Sequence, residues 1–134
     1  MNASDPQPHQ LIAVAVVVYD GTFLVGLRPP GKPLAGFSEF PGGKVSAGET
    51  PAEAAARECR EETGLNVVVG DAYPIVEHDY PHGRLTLHFF RCTLADPAEN
   101  AIPNEPFRWV QGEELARLEF PEANRSLLAE LAHP

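Results

Sequence analysis

The stretch from Gly43 to Leu65 constrains this chain more than any other, because it specifies a helix together with a cluster of like charges that an isolated helix should avoid. Thr50 is a good N-cap, Pro51 suits the first helical position, and Glu53 completes a Thr-x-x-Glu capping box. Loss of such a cap costs about 1 kcal/mol. Gly64 supplies the natural stop after Thr63. Ala52, Ala55, Ala56 and Cys59 form a small-residue face suited to close packing on a sheet. Glu58, Glu61 and Glu62 stand at i, i+3 and i+4, so the helix gathers them on one side. Carboxylates at that spacing repel, and a site that clusters them usually neutralises them with divalent cations.

The spacing around these carboxylates is more specific still. Gly43 is followed after five residues by Glu49, and after seven more by Arg57-Glu58-Cys59-Arg60-Glu61-Glu62-Thr63-Gly64-Leu65. This is the pattern of the Nudix box, and the chain resembles Nudix hydrolases, within them most closely the MutT-type nucleoside triphosphate pyrophosphohydrolases. Cys59 is a departure, since the family usually has a larger aliphatic residue there. A bare Glu-x-x-Glu-Glu reads as a solvated acidic face. The Gly, Glu, Arg and Gly at fixed offsets turn the reading toward a metal site.

At 134 residues the chain suits one compact domain, expected over 10–134 behind a loose tail at 1–9. A net charge of −9 argues against a nucleic-acid polymer as partner, because such sites need a basic stripe. The longest apolar run, Leu11 to Tyr19, is too short to span a bilayer, and no basic segment precedes it as in a signal peptide. Cys59 and Cys92 are too few for a disulfide scaffold and read as reduced, packed thiols in a cytoplasmic protein. His78, His82 and His88 lack ligand spacing and read as surface or packing residues.

Leu11 to Tyr19 reads as a buried central strand, Asp20-Gly21 as a turn and Thr22 to Leu27 as the hairpin partner. A loop is expected from Pro29 to Glu39. Strands are expected at Asn66 to Gly70, Ala72 to Tyr80, Arg84 to Leu94 and Phe107 to Val110. A helical turn is expected at Glu113 to Leu118 and an amphipathic helix at Pro121 to Ala132. The sum is an α/β chain with a mixed sheet. The resemblance implies the Nudix α/β/α sandwich, with the box helix and the C-terminal helix on the faces of that sheet.

The resemblance also assigns roles. Glu58 and Glu62 are implied as metal ligands with Glu61 alongside, and the main-chain carbonyl of Gly42 as a further ligand. The cofactor is Mg²⁺, with Mn²⁺ as a substitute. The general base is either Glu58 or a later-loop glutamate, for which Glu105 is the candidate (also as a ligand) and Glu99, Glu113 and Glu114 are rivals. Glu49 and Arg57 are implied to pair and orient the loop and helix, with Gly43 and Gly64 in supporting roles.

For the substrate, Arg28 matches a residue on the phosphates, Phe40 one in the base pocket, and Asn124, within Phe120-Pro-Glu-Ala-Asn, one that reads the base. Their alternatives are a solvated arginine, a core phenylalanine and a helix-start cap. MutT-type enzymes place an arginine in the turn where this chain has Gly83, followed by Arg84. The expected reaction is Mg²⁺-dependent cleavage of a nucleoside triphosphate to monophosphate and pyrophosphate. The first substrate is 8-oxo-dGTP, and the role is nucleotide-pool sanitation in DNA repair. The alternatives are another nucleotide such as CTP, a non-nucleotide diphosphate, or a catalytically silent ligand-binding module. The oligomeric state, monomer or homodimer, is open.

Overall fold

In the computed structural model, which describes residues 9–81 and 83–132, β1 (His9–Tyr19) is the strand around which everything else is arranged. It pairs antiparallel with β2 (Thr22–Leu27) across the Asp20-Gly21 turn and parallel with β7 (Gly83–Leu94), from His9 opposite Arg84 to Val17 opposite Cys92. Being central, β1 is buried on both faces, which explains its near-continuous run of Ala and Val. Ala13, Ala15 and Val17 point into one apolar cluster, and Val14 and Val16 into another. Each fully buried valine contributes roughly 1.5–3 kcal/mol relative to exposure.

The first cluster is covered by α1 (Pro51–Thr63). Its start is as expected: Thr50 accepts from the Glu53 backbone N–H at 3.1 Å, while Glu53 accepts from the Thr50 N–H at 2.9 Å. Gly64 ends it at φ 80°, and an added Cβ would also lie 3.0 Å from the Asn104 amide nitrogen. The buried face differs from the small-residue face expected. Ala54, Ala55, Cys59 and Thr63 are buried, whereas Ala52 and Ala56 are only half-buried. Thr63 fits because its hydroxyl donates to the Cys59 carbonyl at 2.7 Å, so polarity misleads the sequence reading. Burial pushes both thiols up, Cys92 to about 12, so neither is reactive near neutrality.

The second cluster is covered by α2 (Gly112–Leu115) and α3 (Arg125–Ala132), giving a mixed sheet with helices on both faces. Along the sheet the order runs β3 (Ser38–Glu39), β2, β1, β7, β5 (Val67–Ala72). β4 (Gly42–Lys44) pairs with β1, β6 (Val76–Tyr80) with β7, and β8 (Arg108–Gln111) with β2.

Several boundaries move. Strand 72–80 is not continuous: β5 takes one half of β7 and β6 the other, with Pro74, which has no N–H to donate, in the gap. The 29–39 loop ends in β3, and Gly42–Lys44 joins the sheet despite a composition poor in strand formers. The last strand begins at Arg108 rather than Phe107, and the helical turn covers Gly112–Leu115 rather than 113–118. The C-terminal helix is split into a 3₁₀ turn, Glu122–Asn124, and α3. Residues 1–8 of the expected tail and His82 lie outside the described residues, and His9 opens β1. No helix among the described residues is long and apolar enough to cross a membrane.

Candidate active site

The box helix presents Glu58 and Glu62 to Gly42 and Gly43 at the start of β4. Glu62 Oε1 accepts a hydrogen bond from the Gly42 N–H at 3.3 Å. Glu58 packs so tightly on Gly43 that an added Cβ would lie 2.5 Å from its carboxyl carbon. Gly42 itself is pressed on β1, where a Cβ would meet the Ala13 carbonyl oxygen at 2.6 Å. Both glycines are therefore required by close approach.

Arg57 locks this arrangement from the outside. Its Nε and Nη2 donate to Glu49 at 2.7 and 3.0 Å, a two-point pairing. Nη1 donates to Glu58 Oε2 and to Glu61 Oε1, each at 3.1 Å, and Nη2 also reaches the Lys44 carbonyl at 3.0 Å. One guanidinium thus ties the loop before the helix to two of its carboxylates. Glu61 is consequently drawn to Arg57, its i−4 neighbour, and its side chain is 55% exposed against 17% for Glu58. The structure brings Glu58 and Glu62 together and leaves Glu61 on the outer side.

Arg57 holds the Glu49 carboxyl down to about 2, first through the side-chain hydrogen bond and then with the help of the Ser46 N–H. A carboxyl whose folded value lies below its unfolded value stabilises the fold above the unfolded value, near 4.5. That stability is lost as the pH falls toward about 2. Urea midpoints of the wild type should therefore drop across this window, and those of Glu49→Gln should start lower and change less. Parallel curves for the two proteins would show that the pair adds nothing to the fold.

Glu62 is shifted the other way, up to about 8. Burial is the main cause, the Gly42 N–H opposes it, and the nearby Glu39 and Glu58 carboxylates add to it. Glu39, half-buried on β3, is also raised by burial, against the opposing pull of Arg28. Three carboxylates thus act on one another beside Gly42 and Gly43, with an unfavourable charge that a hard cation would relieve. The all-oxygen donor set suits Mg²⁺. Among the described residues no three His, Cys, Asp or Glu side chains form a ready-made cation cage, and Glu61 is turned to Arg57.

A groove of about 710 Å³ runs from Gly42 and Gly43 across the sheet. Glu39, Gly42 and Gly43 line one part of it, and Arg28, Phe40 and Asn124 all face it. Arg28 is fixed by its Nε donating to the Pro33 carbonyl at 2.9 Å and by Nη1 on Glu39 at 3.3 Å. Phe40 is 5% exposed and stacks on Phe120 with ring centroids 4.9 Å apart, so it is both core and groove wall. Asn124 donates to the Pro121 carbonyl at 3.3 Å.

Glu105 is exposed on the loop before β8; like Glu58, Glu61 and Glu62 it does not itself line the groove, and its loop meets the end of α1 where the Asn104 N–H donates to the Thr63 carbonyl at 2.8 Å. Glu99, Glu113 and Glu114 are also off the groove, and Glu114 is paired with Arg108. Sequence reasoning missed Glu39 and the groove positions of His78 and Tyr80. Their signal was the alternation along β6, where residues 76, 78 and 80 are half-buried and 77 and 79 exposed.

Residues 13–130 match the family model described as NUDIX domain. The chain is 36% identical over 127 residues to a Mycobacterium tuberculosis protein provisionally named 8-oxo-dGTP diphosphatase 2, covering 92% of this chain and 89% of the relative. It is 32% identical to the 8-oxo-dGTP diphosphatase of Escherichia coli (73% and 76% covered) and 28% identical to the CTP pyrophosphohydrolase of the same organism (87% of each). The crystal structure of a MutT protein from Methanosarcina mazei superposes with a TM-score of 0.81 at 26% identity, covering 96% of both chains.

Proposed function

The chain belongs to the Nudix family, hydrolases of nucleotide diphosphate bonds, and from that premise we propose a Mg²⁺-dependent enzyme that cuts a nucleoside triphosphate into monophosphate and pyrophosphate. The proposed substrate is 8-oxo-dGTP, whose removal keeps an oxidised base out of DNA. The observation that carries this reading is the pair Glu58 and Glu62, closed on Gly42 and Gly43, which line a groove of nucleotide size.

Cleaving a phosphoanhydride is mostly charge neutralisation and positioning. Glu58, Glu62 and the Gly42 carbonyl would hold the divalent cation, with Mn²⁺ as a substitute for Mg²⁺. When bound, the cation supplies the positive charge that the phosphate oxygens need. Arg57 orients the Glu58 carboxylate through Oε2, and that carboxylate is the proposed acceptor of the attacking water's proton. Arg28, fixed at Nε and Nη1, has further N–H groups for a phosphate oxygen. Phe40, backed by Phe120, offers a flat apolar wall to a base, and Asn124 an amide to its edge. Glu61 acts through Arg57. A second reading, a cytosine nucleotide as substrate, is supported by the likeness to a CTP pyrophosphohydrolase.

The test is pyrophosphate release with Mg²⁺ across normal and oxidised nucleoside triphosphates, ranked by kcat/KM. The expected outcome is cation-dependent release of pyrophosphate, with 8-oxo-dGTP first. Leading turnover of CTP would favour the second reading. Nucleotide binding without any pyrophosphate release would sink both.

A further inference from the structure

The groove extends beyond the carboxylates, and its outer floor is built by β1, β7 and β6 in register. Gln10 pairs with Leu85, and Leu85 with His78, so these residues form one row across the sheet. The next row inward is Ile12, Leu87 and Val76. Val14 pairs with Gly42 at the carboxylate end, and Gln10 is four residues away on the same strand. At a rise of about 3.3 Å per residue, the row holding His78 lies roughly 13 Å along β1 from the Val14–Gly42 pair, and His78 itself stands three strands across from Gly42.

The two faces of β6 do different work. Glu77 and Asp79 are exposed and paired with Arg84 at 3.3 and 2.7 Å. His78 and Tyr80 are half-buried on the other face and line the groove, together with Asn124 from the 3₁₀ turn. The partner of Tyr80 across the sheet is Gly83, which brings no side chain to fill the floor there. An aromatic-sized space is thus bounded by an apolar floor, an imidazole and an amide.

We infer that His78 is a specificity-determining residue, contacting the edge of the base while Asn124 contacts it from the facing wall. This inference rests on the nucleotide reading above. A neutral imidazole offers one N–H and one lone pair in a single plane, matching a base edge that carries both an acceptor and a donor. A site built to hydrogen-bond its substrate rejects analogues lacking the partner groups far more strongly than an apolar pocket does.

The experiment measures kcat and KM with Mg²⁺ for a panel of purine, pyrimidine and 8-oxo-purine triphosphates in the wild type, His78→Phe and His78→Gln. His78→Phe keeps a ring but no hydrogen bond. It should reduce the kcat/KM ratio of the best to the next nucleotide roughly tenfold or more, chiefly through KM. His78→Gln should recover part of that ratio. A merely structural role would lower all nucleotides by one factor and leave the ratio unmoved, which overturns the inference while the nucleotide reading stands. A wild type that turns all bases over alike overturns it too. If the wild type releases pyrophosphate from no nucleotide, the reading beneath falls as well.

Discussion

Glu58→Gln is expected to lower kcat by roughly 10²–10⁴-fold, the range for removing a positioned proton acceptor, with the fold retained. The amide is isosteric, so the close contact with Gly43 is kept. What disappears is the charge that Arg57 holds in place at 3.1 Å and the basic oxygen beside the groove. Stability should change little: one largely covered ion pair is lost, but repulsion with Glu62 is relieved and Arg57 keeps its two-point contact with Glu49. The control is Glu105→Gln, at an exposed position on the loop before β8, which should leave kcat near the wild-type value. Single-turnover rates with saturating Mg²⁺, read beside circular dichroism, decide between them. Near-normal turnover by Glu58→Gln would remove Glu58 from the chemistry. A larger loss for Glu105→Gln would move proton transfer to the loop before β8.

What the sequence discloses about this site follows from how local each feature is. Thr50, Pro51, Glu53 and Gly64 act within a single helix, so the extent of α1 can be read directly. The Glu49–Arg57 pairing spans only eight residues, and the box spacing carries it. By contrast, the grouping of Glu39 with Glu62 depends on β3 reaching the sheet beside β2, and that of His78 with Gln10 on a parallel β1–β7 pair. No local periodicity encodes either. The shift of Glu61 to the outer side is a third case. The i, i+3, i+4 pattern permits three carboxylates on one side, but Arg57 lies at i−4 from Glu61 and captures it. Helical geometry supplies the candidates, and the competing partner selects among them.

Gly43→Ala is expected to reduce kcat on the order of 10²-fold, the loss associated with displacing a catalytic group by about 1 Å, while costing little stability. The new methyl would lie 2.5 to 2.7 Å from the three carboxyl atoms of Glu58, closer than real Cβ contacts allow. Those atoms end a flexible side chain, so the carboxylate moves and the backbone stays. Gly42→Ala is the informative contrast. Its methyl would meet the Ala13 carbonyl oxygen at 2.6 Å and the Val14 Cα at 2.9 Å, backbone atoms that cannot turn aside. It should prise β4 from β1 and cost about 1–3 kcal/mol, the range for overpacking. Two adjacent glycines thus serve different ends, one making room for a carboxylate and the other for a strand. A double-mutant cycle isolates the first role, since residues acting as one unit are strongly non-additive. In a Glu58→Gln background, Gly43→Ala should lower kcat by much less than it does in the wild type. An equal loss in both backgrounds would mean that the methyl acts by another route and that the glycine is not there for Glu58.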